Sequence, residues 1–428
     1  MRRVVVIVDG EHYPPVVRAA IEELDDTVVA AVLVGGTEKL RDDAEGYGVP
    51  LEPSVEEALD RHAPEAVLDL SDEPVLGPRE RFALAGRVLA AGITYEGADF
   101  RFEPPAFAPV EVPTLAVIGT GKRVGKTAVT GHAARLLARE HRVVVVAMGR
   151  GGPPEPETVR VPPTLESLLE LSRAGRHAAS DHLETALVAG VPTVGCRRCG
   201  GGLAGAVVSS NVVEGVEVAL GLEPELLLLD GSGAALPPVE AGRRLLVVSA
   251  AQPLDVVAGY LNTYRARIAD LVLVTMAESD APHAELVAAL RQHVRPGTTV
   301  LRGVLRPRPL EPVAGERVAY FCTAPAEQHA RLAEHLDQVY SCRVTAVSGA
   351  LADRGALRAE LAAIEAETFL VELKAAAVDV VAEEAARRDV RVVIAANDVE
   401  TFAGEPAFDT EVERLGREAI ERVPEGVA

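Results

Sequence analysis

The chain is short of lysine, cysteine, tryptophan and long apolar runs, and each shortage narrows what it can be. Only four lysines occur, Lys39, Lys122, Lys126 and Lys374, within a pool of 43 Lys and Arg residues. The scarcity of Lys, Asn, Gln and Trp fits a GC-rich coding sequence, with thermophily a weaker second explanation. Four cysteines (Cys196, Cys199, Cys322, Cys342) are too few for a disulfide scaffold in 428 residues. No apolar run is long enough to span a bilayer, and the start MRRVVVIVDGEHYPP lacks a signal-peptide cleavage pattern. A cytoplasmic enzyme with no membrane partner is therefore expected. The net charge of -21, dispersed along the chain, argues against a nucleic-acid surface. The length allows two or three domains with substantial cores.

Against that background, two of the four lysines lie in one stretch, TLAVIGTGKRVGKT, from Thr114 to Thr127. An apolar, β-prone run breaks into a glycine loop, and an amphipathic segment follows from Ala128. Strand, glycine loop and helix are the layout of a phosphate-binding loop for ATP. The loop residues Gly119, Thr120, Gly121, Lys122, Arg123, Val124, Gly125, Lys126, Thr127 and Ala128 are the expected nucleotide contacts. Lys126 reaches the β/γ oxygens, a task a forked guanidinium does not replace, and the Thr127 hydroxyl is placed to bind Mg²⁺. The fit to GxxxxGK[ST] is displaced by one residue, because the first glycine is Gly119 and Thr120 follows it. That spacing resembles the dethiobiotin-synthetase branch of P-loop proteins.

A partner for the loop is ELLLLDGSG (Glu225 to Gly233), an apolar strand ending in an acid, as a Walker B segment does. Asp230 is expected on Mg²⁺. The strand RVVVVAM runs into GRGGPPEPE, where Arg150 is placed to meet an anionic substrate and Glu155 or Glu157 to approach the metal. In SDHLETALVAG, Asp181 with Glu184 has the form of a capping box, leaving His182 exposed in the first helical turn as a substrate-contact candidate. The segment VPTVGCRRCGGGLAG pairs Arg197 and Arg198 with the glycines Gly200, Gly201 and Gly202. Forked donors beside exposed backbone N–H groups read as an anion cradle. Cys196 and Cys199 lack a second ligand pair at usable spacing for zinc.

The remaining chain alternates strands and helices. Residues 1–108 read as a Rossmann-like α/β domain with largely apolar strands, as in a parallel sheet buried on both faces. Its loop DGEHYPP, with Asp9, Glu11 and His12, follows the first strand, where open α/β sheets bind ligands. Residues 112–300 read as the P-loop NTPase domain with a mostly parallel sheet, PLDVVAGYLNTYRARI forming one helix within it. Residues 301–428 read as a C-terminal α/β domain. There Arg306 and Arg308 sit in a loop, VLRPRPLEP, and Lys374 ends a strand where ligands gather. Arg306 and Lys374 are further substrate-contact candidates.

Taken in order, DGEHYPP, GTGKRVGKTAVTGH, MGRGGPPEP, SDHLETAL, PTVGCRRCGGGLAG, SSNVVEG and LLLLDGSGAALPPV resemble the cyclic 2,3-diphosphoglycerate synthetase family, over most of the chain. The resemblance implies a ligase that uses Mg-ATP to close an intramolecular phosphoanhydride in 2,3-bisphosphoglycerate, releasing ADP and phosphate. Lys122, Lys126, Arg150, Arg197, Arg198 and Asp230 would then carry the chemistry by positioning and charge neutralisation. A homodimer is expected, since dimers are common in this P-loop branch. Two other classes stay open at this point. One is a P-loop kinase or carboxylate–amine ligase on another small anion. The other is a nucleotide-dependent regulatory or metal-delivery protein using Cys196 and Cys199.

Overall fold

A computed structural model describes residues 1–36, 46–176, 178–278, 283–374 and 377–421. Its first sheet comprises β1 (Arg3–Val8), β2 (Thr27–Leu33), β3 (Leu51–Glu52), β4 (Ala66–Asp69), β5 (Thr94–Glu96) and β6 (Arg101–Phe102). The order is β3-β2-β1-β4-β5-β6, parallel except for the closing β5–β6 pair. That is the doubly wound order of a Rossmann-like unit. Val4 to Val8 are all buried, which is why this strand shows no polar alternation.

The second sheet comprises β7 (Thr114–Gly119), β8 (Val143–Gly149), β9 (Glu157–Val159), β10 (Thr193–Cys199), β11 (Ser209–Ser210), β12 (Leu226–Asp230), β13 (Arg243–Ser249), β14 (Leu271–Thr275), β15 (Thr299–Pro309), β16 (Arg317–Phe321), β17 (Arg343–Ser348), β18 (Thr368–Glu372) and β19 (Arg391–Thr401). Its first seven-strand block, β10-β8-β12-β7-β13-β14-β15, is parallel throughout. A second parallel block, β19-β18-β16-β17, is joined to it through one antiparallel pair, β15 with β19. Strand β15 bridges the two blocks. Its start pairs with β14 and its remainder, from Gly303, with β19. Because that one pair reverses direction, the two blocks run toward each other and their carboxyl edges face across the β15–β19 ribbon. Open α/β sheets bind ligands at that edge.

Three expectations change here. Arg306 and Arg308 lie on strand β15, not in a loop. The prolines that follow each of them, Pro307 and Pro309, are tolerated because Leu310 donates its N–H to Ile394 O across the ladder. The alternating nitrogens of Pro309 and Pro307 therefore face the open side of the strand, where no donor is required. The stretch from Pro253 to Ile268 is two short helices, Leu254–Val257 and Asn262–Ile268, rather than one. The break falls at Gly259 and at Tyr260, which has φ of 45°. Finally, the last helix, Phe408–Glu421, returns to the P-loop block. Phe408, Val412, Leu415 and Ala419 pack with Leu115, Val117 and Leu137 in one core cluster.

The Rossmann-like unit docks through its helix Pro78–Ala90 onto the Asn262–Ile268 helix, and a shared core runs across the contact. The approach is close at Gly86, where a Cβ would lie 2.3 Å from Thr263 Oγ1 and 2.9 Å from the Tyr264 nitrogen. Gly86→Ala is accordingly expected to destabilise the fold by about 1–3 kcal/mol through overpacking. Urea unfolding of the variant checks this, and an unchanged midpoint would contradict the close docking.

Candidate active site

The phosphate-binding loop is held from two neighbouring strand ends. Thr120 Oγ1 donates to Gln252 Oε1 at 2.6 Å, and Thr275 Oγ1 donates to the Val124 carbonyl at 2.8 Å. Gly125 caps the following helix (Lys126–Leu137) in the left-handed region at φ of 85°, and no side chain caps its first turn. The N–H groups of that turn are left for an anion, with the helix dipole behind them. The displaced glycine has a steric reason. A Cβ at Gly119 would sit 2.9 Å from Lys126 Cδ and 3.2 Å from the Gly233 carbonyl. The lysine stem crosses the backbone at this position, so Gly119 cannot carry a side chain. Lys122 and Arg123 are exposed at the rim.

Beneath the loop, Asp230 ends β12 between β7 and β8. It is 3% exposed, and its Oδ1 accepts from Thr130 Oγ1 at 3.0 Å. Burial pushes its carboxyl up to about 7, against the lowering effect of Lys126 and with a further push from Asp181. Lys126 makes no direct ion pair among the described residues. Burial lowers its ammonium, opposed by Asp230 and Asp181, while Arg198 lowers it further. Lys126, Asp230, Asp181 and Arg198 therefore share one electrostatic neighbourhood.

The structure sorts the other expected site residues. Arg198 and Arg150 converge over Gly233, whose Cβ position lies 3.4 Å from Arg198 Nη2 and 4.0 Å from Arg150 Nη2. Arg198 is partly committed, donating to the Gly200 carbonyl at 3.0 Å and the Ser232 carbonyl at 2.8 Å. Arg150 is exposed and has no side-chain partner among the described residues. Arg197 is not the second prong of a fork with Arg198, because neighbours on a strand face opposite ways. The glycine nest is likewise not a row of free donors: Gly202 N–H bonds Ala206 O, and the Gly200 carbonyl turns toward Arg198. Gly201 lies beside Arg198, its Cβ position 3.4 Å from Nη1.

His182 is buried rather than exposed, its ring against Gly195, where a Cβ would fall 2.5 Å from Cγ. The capping box is absent. The helix Asp181–Ala189 begins one residue earlier than that motif requires, with Ser180 as its N-cap. Glu184 instead pairs with Lys374 Nζ at 2.5 Å across the facing sheet edges. Burial raises the Glu184 carboxyl, opposed by that ammonium. Arg306 and Arg331 both pair with Glu278, and Arg308 with Asp398. Glu155 is exposed on its loop, and Glu157 pairs with Arg176. Cys196 is buried while Cys199, three residues along the strand, is exposed, and burial pushes the Cys196 thiol up to about 12. In the N-terminal unit, Asp9 is fully buried and organises its loop, accepting from the N–H groups of Glu11, His12 and Asp72 and from the His12 ring. Burial raises that carboxyl, but these donors outweigh it and leave it below its ordinary value.

The residues that sequence reading missed at the site are Thr130, Gln252, Ser180 and Asp181. One signal was available for the last two: counting from Ser180, Glu184 comes one place too late for a capping box.

The chain matches three family models, each described as a domain of cyclic 2,3-diphosphoglycerate synthetase: N-terminal over residues 3–103, P-loop over 114–303 and C-terminal over 309–398. Curated proteins of the same description align along nearly the whole chain. The one from Rubrobacter xylanophilus is 51% identical, covering 92% of this chain and 94% of the relative. Those from Methanothermobacter thermautotrophicus and Thermococcus kodakarensis are 42% and 40% identical, covering 92% and 98% of this chain and 91% and 99% of the relatives. Among solved structures, LpxK from Aquifex aeolicus in complex with ATP is a distant likeness at 14% identity and a TM-score of 0.43, over 74% of this chain and 91% of that one. Among the described residues no helix is long and apolar enough to cross a membrane.

The raised Asp230 carboxyl has a measurable consequence. An acid held at about 7 in the folded chain, and near 3.8 when unfolded, keeps its proton on folding between those values. The folded state then binds more protons than the unfolded one, so this contribution to stability falls as pH rises through the window. Asp230→Asn is expected to remove that part of the slope. Without nucleotide or divalent cation, stabilities of the two proteins should diverge between pH 4 and pH 7 by on the order of a few kcal/mol. Parallel urea midpoints across that range would contradict a protonated Asp230.

Proposed function

The chain belongs to the cyclic 2,3-diphosphoglycerate synthetase family, and on that premise we propose that it is an ATP-dependent ligase acting on 2,3-bisphosphoglycerate. The reaction closes an intramolecular phosphoanhydride and releases ADP and phosphate. The observation that carries this reading is the meeting of three cations at one mouth. Lys126 lies on the nucleotide side, and Arg150 and Arg198 converge over Gly233. Two phosphates that repel each other can be brought together only where fixed positive charge faces them.

The loop N–H groups and Lys126 hold the β- and γ-phosphates, with Lys122 at the rim. Arg150, supported by Arg198, holds one substrate phosphate with an oxygen in line with the γ-phosphorus. Attack forms a P–O–P bond and breaks the bond to ADP. An oxygen of the second substrate phosphate then attacks the esterified phosphorus. That step forms the ring anhydride and expels the transferred phosphoryl as inorganic phosphate. Both nucleophiles are already anionic, so no general base is needed.

Thr127 and Asp230 suit a divalent cation, since Asp230 is a buried acid bonded to Thr130 with no cationic side chain in direct contact. Mg²⁺ bound there would neutralise charge on the phosphate oxygens. A homodimer in the cytoplasm completes the reading carried from the sequence.

Phosphorus NMR of the protein with Mg-ATP and 2,3-bisphosphoglycerate tests the activity. The two phosphomonoester resonances should give way to anhydride resonances as ADP and phosphate accumulate. ADP formed only with another acid, alongside a phosphorylated or amide product, would replace this substrate while keeping the P-loop chemistry. Arg150→Ala should lower kcat/KM for the bisphosphate by about 10- to 150-fold, the equivalent of a lost charged hydrogen bond of ~1.5–3 kcal/mol. Its affinity for ATP should be unchanged. Equal loss toward both ligands would move Arg150 to the nucleotide.

A further inference from the structure

Beside the phosphate-binding loop a cavity of about 210 Å³ opens between the carboxyl ends of β8 and β10 and the start of the Asp181–Ala189 helix. Ala147, Gly149, Arg150, Ser180 and Asp181 are among its lining residues. Ala147 is the register neighbour of Asp230 on the adjoining strand, so the cavity borders the Walker B acid. Two features of the cavity are unexplained by packing. The Ser180 hydroxyl is buried without a hydrogen-bond partner, in a residue only 7% exposed. The Asp181 carboxylate has no hydrogen bond or ion pair among the described residues. It leans over β8, with Oδ2 3.2 Å from the position a Cβ would take at Gly149.

A half-buried carboxylate with no partner is costly unless something positive is destined to meet it. Lys126 and Asp230 lie in the same electrostatic neighbourhood, and neither pairs with it directly among the described residues. Asp181 and Asp230 border the cavity from neighbouring elements, and the open first turn of the P-loop helix brings a polyanion to the same place. A divalent cation satisfies both acids and the incoming phosphates.

We propose that Asp181, opposite Asp230, is the second carboxylate of the divalent-cation site, and that Ser180 contributes its free hydroxyl to that cation or to a water on it. This rests on the P-loop being a nucleotide–cation site, but not on the identity of the phosphorylated substrate. Asp181 is held in place from the far domain. Its helix is clamped one turn on by Glu184 to Lys374, at the carboxyl edge of the C-terminal block. Glu155, the metal candidate of the sequence, is exposed on a different loop.

The test is Mn²⁺ binding followed by electron paramagnetic resonance, with ADP present and no phosphorylated substrate. Asp181→Asn should weaken Mn²⁺ binding at least tenfold, while metal-free ADP affinity stays within twofold. Unchanged Mn²⁺ affinity in a folded Asp181→Asn protein would overturn the proposal. Asp181→Cys gives a second readout independent of the first. Added Cd²⁺ should then produce a thiolate-to-cadmium ultraviolet band beyond any given by Cys199 in the parent protein, and Mg²⁺ with ADP should suppress it. A Cd²⁺ spectrum identical to the parent's would overturn the proposal as well. Failure of the phosphorus NMR test with intact Asp181-dependent Mn²⁺ binding would instead fault the substrate alone.

Discussion

Lys126 is a positive charge sunk into the carboxyl edge of a parallel sheet, and much of the surrounding structure answers to it. Its stem crosses the chain at Gly119, which accounts for a glycine there. Its ammonium feels both Asp230 and Asp181 without pairing directly with either. An ammonium so placed keeps its donors for phosphate, whereas a direct ion pair would hold them against a carboxylate. The loop that presents it is itself fixed from outside, by Gln252 after β13 and Thr275 at the end of β14. Preorganisation here is a matter of neighbouring strand ends more than of the loop's own sequence.

The β15–β19 ribbon extends that logic to the rest of the molecule. One antiparallel pair turns the C-terminal block over, so its carboxyl edge faces the P-loop edge rather than continuing beside it. The contacts across the gap include ion pairs, Lys374 with Glu184 and Arg306 and Arg331 with Glu278, beside an apolar cluster of Leu168, Ala178 and Leu183 with Leu373, Val378 and Ile394. Buried or half-buried pairs add little net stability, but they fix geometry, because removing one member strands the other. The helix bearing Asp181 is thus positioned by a domain that supplies no residue to the phosphate-binding loop.

What the sequence made legible was what short-range pattern controls. The strand–loop–helix of the P-loop, the acid closing β12 and the Rossmann-like alternation of the first hundred residues all follow from local apolar runs and glycines. What stayed hidden depended on direction or on distant partners. Arg197 and Arg198 are adjacent in the chain but face opposite sides of one strand, so only Arg198 turns toward Gly233 beside Arg150. Arg306 and Arg308 looked like loop residues because prolines flank them, and only the free edge of β15 makes those prolines harmless. Asp181 was absorbed into a capping motif by a one-residue error in the helix start. Lys374 and His182 were placed correctly in the chain, yet their roles depend on Glu184 and Gly195, which no local window connects to them.

The distribution of partners also explains how a chain of net charge -21 can attract polyanions. A cation beside an internal carboxylate is neutral to anything more than a Debye length away, about 8 Å at physiological salt. Arg306, Arg308 and Lys374 are of that kind, although all three lie near the facing sheet edges. Lys122, Lys126, Arg150 and Arg198 have no direct carboxylate partner among the described residues, and they gather around Gly119 and Gly233. The acidic surface elsewhere repels phosphates weakly and diffusely, while these four act at contact distance, where screening is least. Local pairing, not total charge, therefore decides which cations stay open to a phosphate, and at the P-loop mouth four of them stand together.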